Sequence, residues 1–346
     1  MSASTPVNPL LGTVRRLTAG ERADPEELTA AFDVVLAGDA TAAQIAALLI
    51  GLRVRGETPS ELAAVVRSFR RAMVALSADA PTELVDTCGT GGGTINTFNI
   101  STAAALVVAG AGLRVAKHGN RSFTTQCGSA DVLEALGVSI EAPVAVMEKA
   151  LRDAGIVFMF APLMHPAMRH VGPVRRELGV QTIMNMVGPL ANPAHAGRQV
   201  VGVSDPRRME LIAGALSELD TVHGLVVHGE GMDEISPFAP TQVIEIRDGQ
   251  MARWTIEPSR FGYGAGTAAD IAGGPPGDNA AVVVKVLRGD GNLPATAAVV
   301  LNAAAAIYVG GGAPTFEEGV EIARSVVTAG TGLVALERLR AAFSRN

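Results

Sequence analysis

The sequence predicts an α/β protein in which a small all-helical domain accompanies a larger α/β domain with a mostly parallel central sheet flanked by helices. Two observations carry this prediction: capped amphipathic helices fill the first seventy-odd residues, and short apolar strands then alternate with helices from Leu84 onward. The composition agrees, since aromatic residues make up 4% of the 346 residues and small aliphatic residues dominate. A chain of this length is expected to hold about two domains.

The N-terminal helices are predicted from their starts and from their apolar stripes. Each candidate N-cap is followed three residues later by Glu or Gln, the spacing at which two side chains satisfy free backbone N–H groups reciprocally. Pro25 and Pro59 then fall at first helical positions. The three pairs are Asp24 with Glu27, Thr41 with Gln44, and Thr58 with Glu61.

Strands alternating with helices predict right-handed crossovers and a parallel sheet whose ligands bind at the carboxyl ends of the strands. The predicted strands are 84–86, 113–117, 156–160, 199–203 and 224–228, and the predicted helices are about 99–111, 129–136, 144–154 and the stretch RRMELIAGALSEL. The cationic segment HPAMRHVGPVRRELG, residues 165–179, interrupts this alternation. We therefore expect a helical domain over 1–77, joined by a returning segment at about 165–190, and an α/β domain over 78–164 and 191–346.

Charge and cysteine content exclude several classes of function. The net charge is −6 and the pI about 5.6, so no overall positive field would attract nucleic acid or an anionic membrane. Cys88 and Cys127 are far apart and form no CxxC motif, and we expect both to be packed thiols. The N-terminus lacks a signal-peptide pattern and the longest apolar run is short, so we expect a cytoplasmic protein.

The segment DTCGTGGGTINTFNIST places four glycines within five residues, directly after a strand and before a helix. It has no GK[ST] ending, and Thr94 stands where GxGxxG requires its third glycine, so it matches neither common nucleotide motif. Free N–H groups and a helix start lined by Thr97, Asn99, Ser101 and Thr102 suit anionic oxygens. The alternative is a tight turn between strand and helix with no ligand.

Two further loops carry polar residues at predicted strand ends. The first, AKHGNRSFTTQCGSAD, surrounds Gly119 with Lys117, Asn120, Arg121 and hydroxyls that include Ser129, although such a loop can also be merely solvated. The second contains Asp233 and Glu234, which form a solvated surface pair unless a diphosphate lies nearby, where they would suit Mg²⁺.

Other catalytic patterns are missing from the sequence. No HExxH or short histidine spacing predicts a zinc site, and no GxSxG predicts a serine nucleophile. His118 and His165 draw attention only because they adjoin the cationic loops, and as single histidines they are also compatible with core positions.

Seven motifs together resemble the anthranilate phosphoribosyltransferases: DTCGTGG, NTFNIST, AKHGNRS, GSADVLEALG, HPAMRHVGPVRRELG, NMVGPLANP and HGEGMDEIS. The likeness covers essentially the whole chain. KHGNRS and GSADVLEALG also occur in the related pyrimidine nucleoside phosphorylases, so these two motifs indicate only the superfamily. HPAMRHVGPVRRELG and GPLANP are more particular to the anthranilate enzymes.

The resemblance implies transfer of the phosphoribosyl group of phosphoribosyl pyrophosphate to the amino group of anthranilate, giving N-(5-phosphoribosyl)anthranilate and pyrophosphate in tryptophan biosynthesis. It implies no dedicated catalytic acid or base, Mg²⁺ as cofactor, and a homodimer joined through the helical domain. The implied phosphoribosyl pyrophosphate-binding residues are Gly89, Thr90, Gly91, Gly92, Gly93, Thr97, Asn99, Ser101, Thr102, Lys117, Thr125 and Ser129. The implied anthranilate-binding residues are Gly89, Asn120, His165, Arg175 and Pro189, and the implied metal ligands are Ser101, Asp233 and Glu234.

This chain departs from the family pattern at Gly93, where the family usually has an acidic residue. The change predicts a more mobile loop and an altered Mg²⁺ dependence with activity retained. Thr124 and Thr125 replace the usual serines and keep their hydroxyls, and Cys127 replaces a small polar residue. Two alternatives stay open: a pyrimidine nucleoside phosphorylase, which would not need Arg175, and a non-catalytic nucleic-acid-binding relative, against which the acidic pI and the retained Asp233 and Glu234 argue.

Overall fold

A computed structural model describes residues 8–122 and 125–343 of the chain. The N-terminal part consists of four helices, α1 (Pro9–Thr18), α2 (Pro25–Ala37), α3 (Ala42–Arg55) and α4 (Pro59–Ala72). Thr41 and Thr58 form the predicted reciprocal caps with the residues three positions on. Asp24 instead caps the N–H of Glu26, and Glu27 lies 3.2 Å from the Arg16 guanidinium, so the predicted reciprocal cap of α2 is wrong.

A seven-stranded sheet follows, with the strand order β3-β2-β1-β4-β5-β6-β7. Its strands are β1 (Val85–Gly89), β2 (Val115–Gly119), β3 (Ile156–Phe160), β4 (Arg198–Gly202), β5 (His223–Gly229), β6 (Thr241–Arg247) and β7 (Gln250–Ile256). The first five are parallel, and β6 and β7 add an antiparallel hairpin at one edge. The strand order reverses beside β1, between β2 and β4, the kind of position at which open parallel sheets bind ligands.

The connecting and covering helices are α5 (Ile100–Gly110), α6 (Ser129–Ala135), α7 (Val144–Ala154), α8 (Ala161–Met164), α9 (Met168–Leu178), α10 (Met184–Leu190), α11 (Met209–Glu218), α12 (Pro276–Leu287), α13 (Leu293–Val309), α14 (Phe316–Ala329) and α15 (Thr331–Phe343). No single helix of the described residues is long and apolar enough to cross a membrane. The consecutive pair α14 and α15 meets that criterion only together, and the two helices are bent by 71°.

Each face of the sheet packs against its own apolar core. Along β5, Leu225 and Val227 belong to the core that contains α5 and α13, whereas Val226 between them belongs to the core formed with α1 to α4. This alternation is what a strand buried on both faces requires. The second core also contains residues of α9 and α10, and α9 contacts α2 and α3 while α10 contacts α4. The segment 165–179, which interrupts the alternation of strands and helices along the chain, therefore packs against the N-terminal helices.

The predicted strands differ from the observed ones mainly in how far they continue past their apolar residues. β1 continues through Cys88 to Gly89, and β2 continues past Lys117 through His118 to Gly119. These polar residues lie within a buried sheet because other side chains and backbone groups satisfy them, as described below.

Candidate active site

The glycine loop begins where β1 ends, opposite the end of β4. Gly89 pairs with Gly202 in the sheet, and Gly91 and Gly92 adopt positive φ angles of 69° and 79°, a conformation that favours glycine. The Ser204 hydroxyl donates to the Gly91 carbonyl at 2.8 Å. The loop therefore turns sharply and is held against the residues that follow β4.

The acidic loop after β5 lies against this glycine loop. The Asp233 carboxylate accepts a hydrogen bond from the Gly91 N–H at 2.7 Å, and the Glu234 carboxylate accepts one from the Ser101 N–H, at the start of α5, at 3.1 Å. A Cβ at Gly202 would lie 1.7 Å from the Asp233 carbonyl oxygen, so the acidic loop occupies space that only glycine leaves free. The solvated surface pair is thus replaced by two half-buried carboxylates in contact with both predicted anion-binding elements.

Burial changes the proton affinity of these carboxylates. Desolvation raises the pKa of Asp233, and desolvation together with the neighbouring Asp233 charge raises the pKa of Glu234 to about 8. The Lys117 ammonium and the Ser101 N–H act in the opposite direction on Glu234. Two adjacent carboxylates in a poorly solvated site would be stabilised by a cation.

Lys117 lies beneath the surface of the site, and 3% of the residue is exposed. Its ammonium donates to the Thr87 carbonyl at 2.6 Å and lies 3.5 Å from the Ser101 hydroxyl. Burial lowers the pKa of this ammonium, while the charges of Asp86 and Glu234 act to raise it. Lys117 therefore places its positive charge next to the start of α5.

The loop after β2 contacts the start of α5, as expected if it faces the glycine loop. The Asn99 amide donates to the Cys127 carbonyl at 3.3 Å and the Cys127 thiol donates to the Asn99 Oδ1 at 3.2 Å. The Ser129 hydroxyl exchanges two hydrogen bonds of 3.2 Å with the Asn120 backbone. The Thr125 N–H donates to Ser122 Oγ at 2.7 Å, so these hydroxyls and amides hold the loop in place. Thr124 lies outside the described residues.

Two predicted residues occupy positions that limit their roles. Thr102 is 1% exposed, and its hydroxyl is buried without a hydrogen-bond partner beside a small internal cavity, so its side chain does not reach the loop surface and its binding of a ligand stays a prediction. Thr97 pairs with Ala272 in an isolated antiparallel bridge. The remaining glycine-loop residues stay in the half-buried or exposed loop that the sequence predicts.

The buried histidines His118 and His165 lie together, with ring centroids 5.0 Å apart. Desolvation lowers the pKa of His118 to about 3 and that of His165 to about 4. Each ring donates to a backbone carbonyl, of Gly188 and Ala191 respectively, while the buried Nε2 atoms have no partner. The donated proton must therefore be on Nδ1, which leaves an accepting lone pair on Nε2 in each ring.

Arg175 on α9 carries an uncompensated charge. Within the described residues its guanidinium makes no hydrogen bond or ion pair, and partial burial lowers its pKa. Pro189 is buried within α10, and its carbonyl accepts a 3.0 Å hydrogen bond from Gln199 of β4. The Arg175 guanidinium and the Nε2 atoms of the paired histidines are therefore polar groups of this region that lack partners within the described residues.

Sequence reasoning missed two buried polar residues next to the site, Asp86 and Asn192. Asp86 Oδ2 accepts from the Asn192 amide at 2.7 Å, and Oδ1 accepts from the His118 N–H at 3.2 Å. Both residues fall inside the motifs DTCGTGG and NMVGPLANP, where glycines and prolines give the stronger signal. The available signal was Asp86, a charged residue that follows an apolar run shortly before the glycine loop.

Comparisons with known proteins agree with this fold. Residues 13–73 match the model of the glycosyl transferase family helical bundle domain, and residues 81–333 match that of the glycosyl transferase family a/b domain. An anthranilate phosphoribosyltransferase of Thermomicrobium roseum is 45% identical, with 96% of each chain covered. One from Chloroflexus aggregans is 47% identical, covering 90% of this chain and 92% of the relative.

Solved structures give the same result. The crystal structure of anthranilate phosphoribosyltransferase from Thermus thermophilus superposes with a TM-score of 0.91 at 41% identity, covering 96% of this chain and 99% of the other. The enzyme from Saccharomyces cerevisiae in complex with PRPP and Mg superposes with a TM-score of 0.88 at 27% identity, covering 97% and 98%.

Proposed function

This chain belongs to the anthranilate phosphoribosyltransferase family, and on that premise we propose that it transfers the phosphoribosyl group of phosphoribosyl pyrophosphate to the amino group of anthranilate. The products are N-(5-phosphoribosyl)anthranilate, an intermediate of tryptophan biosynthesis, and pyrophosphate, the leaving group of phosphoribosyl pyrophosphate. The observation that carries the proposal is the contact of Asp233 and Glu234 with the glycine loop and with the start of α5.

The residues of the site fit Mg²⁺. This ion uses one or two carboxylates and completes its shell with waters and substrate phosphates, rather than requiring a protein cage. Among the described residues no group of three or more His, Cys, Asp or Glu side chains is arranged to hold a metal ion. Asp233 and Glu234, with the adjacent Ser101 hydroxyl, would hold the ion, and bound Mg²⁺ would neutralise charge on the leaving pyrophosphate.

The glycine loop and the start of α5 supply the remaining stabilisation of that leaving group. Breaking the bond at C1 of the ribose leaves negative charge on pyrophosphate and positive charge on the sugar. The backbone N–H groups of Gly91 and Ser101 bond to the two carboxylates, and they would be free to donate to phosphate oxygens if those carboxylates bound Mg²⁺ instead. The buried Lys117 ammonium adds a fixed positive charge beneath the same oxygens.

The acceptor side is supported by the unpartnered groups. Arg175 offers a planar guanidinium that suits the anthranilate carboxylate, and Asn120 and Pro189 stay the proposed neighbours of the ring. His165 stays a proposed neighbour of the acceptor, and the His118 ring packs against it. Holding the amine near C1 contributes on the order of 7 kcal/mol in well-oriented cases, so positioning is the main contribution of this side.

The organisation of the whole protein stays a proposal. We infer a helical domain over 1–77 with the returning segment at about 165–190, and a phosphoribosyl pyrophosphate-binding domain over 78–164 and 191–346. Packing of α9 and α10 on the N-terminal helices supports this division. The homodimer through the helical domain and the cytoplasmic location rest on the resemblance.

The test is identification of the product by mass spectrometry after incubation with anthranilate, phosphoribosyl pyrophosphate and Mg²⁺, with uridine and phosphate in a parallel reaction. We expect phosphoribosylanthranilate in the first reaction and no uracil in the second. Arg175→Gln should raise KM for anthranilate about tenfold or more, because it removes a charge-assisted bidentate bond. Arg176→Gln, an exposed neighbour on the same helix, is the matched control. Release of uracil without anthranilate turnover would instead support the phosphorylase.

A further inference from the structure

The strands β1 and β2 separate at the floor of the site. They are in register only at Val85 and Val115, whereas β1 and β4 pair over five residues. From that register, a regular parallel ladder would next join the Thr87 N–H to the Ala116 carbonyl and the His118 N–H to the Thr87 carbonyl. The backbone groups in this gap need other partners, because they are buried.

Side chains supply those partners. The Asn192 amide donates to the Ala116 carbonyl at 2.9 Å, and the Asp86 carboxylate accepts from the His118 N–H at 3.2 Å. The Lys117 ammonium donates a hydrogen bond to the Thr87 carbonyl. Three of the four ladder groups thus bond to a side chain, and the fourth, the Thr87 N–H, acts to lower the pKa of the Asp86 carboxyl.

Asp86 and Asn192 also hold each other. The Asn192 amide donates to Asp86 Oδ2 at 2.7 Å, and its own Oδ1 accepts from the Ala194 N–H at 2.9 Å. Exposure of Asp86 is 0% and that of Asn192 is 1%. The hydrogen-bond partners of the Asp86 carboxyl are donors that act to lower its pKa, whereas burial, the larger effect, raises it.

The pair lies between the two halves of the proposed site. β1 leads three residues later into the glycine loop, and β2 leads into His118 and Asn120 on the acceptor side. Asn192 follows α10, whose residue Gly188 borders the His118 ring. A change in the width of this gap therefore changes the distance between the phosphate side and the acceptor side.

We propose that Asp86 and Asn192 are positioning residues that fix the separation of β1 and β2, and thereby the placement of the acceptor amine relative to C1 of the ribose. The inference rests on the proposed function. Neither residue contacts the substrates in this role. In variants of these residues, kcat should fall by more than the affinity for either substrate, because each half of the site keeps the residues that bind its own substrate.

The variants are Asp86→Asn and Asn192→Ser, with Glu245→Gln as the matched control. Asp86→Asn turns a donor toward the donors of His118 and Asn192, and Asn192→Ser removes the bond to Ala116. Glu245 is likewise a carboxylate with three side-chain partners, His223, Tyr308 and Trp254, at 2.7–2.9 Å, but it lies on β6, three strands away from β1. Dissociation constants of anthranilate and of Mg²⁺-phosphoribosyl pyrophosphate are measured separately, next to kcat.

We expect kcat to fall about 100-fold in Asp86→Asn while each dissociation constant changes less than about fivefold, because a displacement near 1 Å has that effect on a bimolecular alignment. The control should keep kcat within about twofold. A kcat no lower than in Glu245→Gln, or a loss confined to the binding of one substrate, would overturn the proposal. If Asp86→Asn does not fold, the same criteria apply to Asn192→Ser.

Amide hydrogen exchange separates this inference from the proposed function. Residues 87–91 and 116–121 should exchange faster in the Asp86 and Asn192 variants than in wild type and in Glu245→Gln. Unchanged exchange in both segments would overturn the structural role even if wild type turns over anthranilate. If wild type has no transferase activity, the proposed function fails, and the exchange data alone still decide whether the pair fixes the gap.

Discussion

Gly202→Ala is expected to displace the acidic loop without touching a substrate-binding side chain. The added methyl would lie 1.7 Å from the Asp233 carbonyl oxygen and 2.4 Å from its carbon. Because non-bonded atoms need roughly 3.5 Å, this backbone must move by about 1.8 Å. Gly202 is absent from the positive-φ residues of the described chain, so alanine adopts its backbone conformation and the effect is one of space alone.

A shift of that size moves both proposed metal ligands, since Glu234 follows Asp233 directly. We expect kcat/KM to fall about 100-fold and the Mg²⁺ concentration for half-maximal rate to rise. Overpacking of this kind also destabilises by about 1–3 kcal/mol, so the assay is run well below the melting temperature of the variant. The readout is a Mg²⁺ titration of the initial rate at saturating substrates.

Gly12→Ala is the matched control, because nothing lies within 4 Å of a Cβ at this position in α1. It should raise the free energy of unfolding by about 0.5–1 kcal/mol and leave the Mg²⁺ titration unchanged. A Gly202→Ala variant whose Mg²⁺ titration and kcat/KM match wild type would refute the assignment of the acidic loop as the metal site.

Three further predictions concern the loop, the histidines and the edge of the sheet. Gly93→Asp should change the Mg²⁺ dependence, because it adds a carboxylate and its Cβ would lie 2.8 Å from the Gly231 carbonyl; superimposable Mg²⁺ titrations would contradict this. The folded pKa values of His118 and His165, about 3 and about 4, lie below the unfolded value. The contribution of these two histidines to stability is therefore full above about pH 6.5 and falls by up to about 2.7 kcal/mol per pH unit toward pH 4, whereas the raised pKa of Glu234 gives a slope of opposite sign. Denaturant titrations at several pH values, compared between wild type and a His118→Gln, His165→Gln variant, would isolate the histidine slope. Glu245→Gln should lower the free energy of unfolding by about 1–3 kcal/mol in the same titrations and leave kcat unchanged. A kcat that falls together with stability would show that the contacts of Glu245 on β6 affect the site.

The sequence predicted the parts of the fold that follow from local pattern. Helix caps such as Thr41 and Thr58 and apolar runs such as 156–160 are local signals, and the structure confirms them. The hairpin of β6 and β7 was missed, because the exposed residues of β7 give no apolar run at a sheet edge.

The site was predicted where chemistry is carried by dense motifs, and missed where it depends on contacts between distant segments. The glycine loop and the acidic pair are each visible in the sequence, but their direct contact between Gly91 and Asp233 joins residues 142 positions apart. The bond between Asp86 and Asn192 spans 106 positions, and nothing in either segment alone indicates it. Thr102 was placed on the ligand side by its neighbours, whereas helical geometry turns its side chain into the core.

The most direct test of the central claim is the fluorescence of anthranilate during incubation with phosphoribosyl pyrophosphate and Mg²⁺, for wild type and for an Asp233→Asn, Glu234→Gln double variant. We predict consumption of anthranilate by wild type that stops on addition of EDTA and falls at least about 100-fold in the variant. Undiminished turnover in the variant, or no turnover by wild type that still binds phosphoribosyl pyrophosphate, would contradict phosphoribosyl transfer to anthranilate at this site.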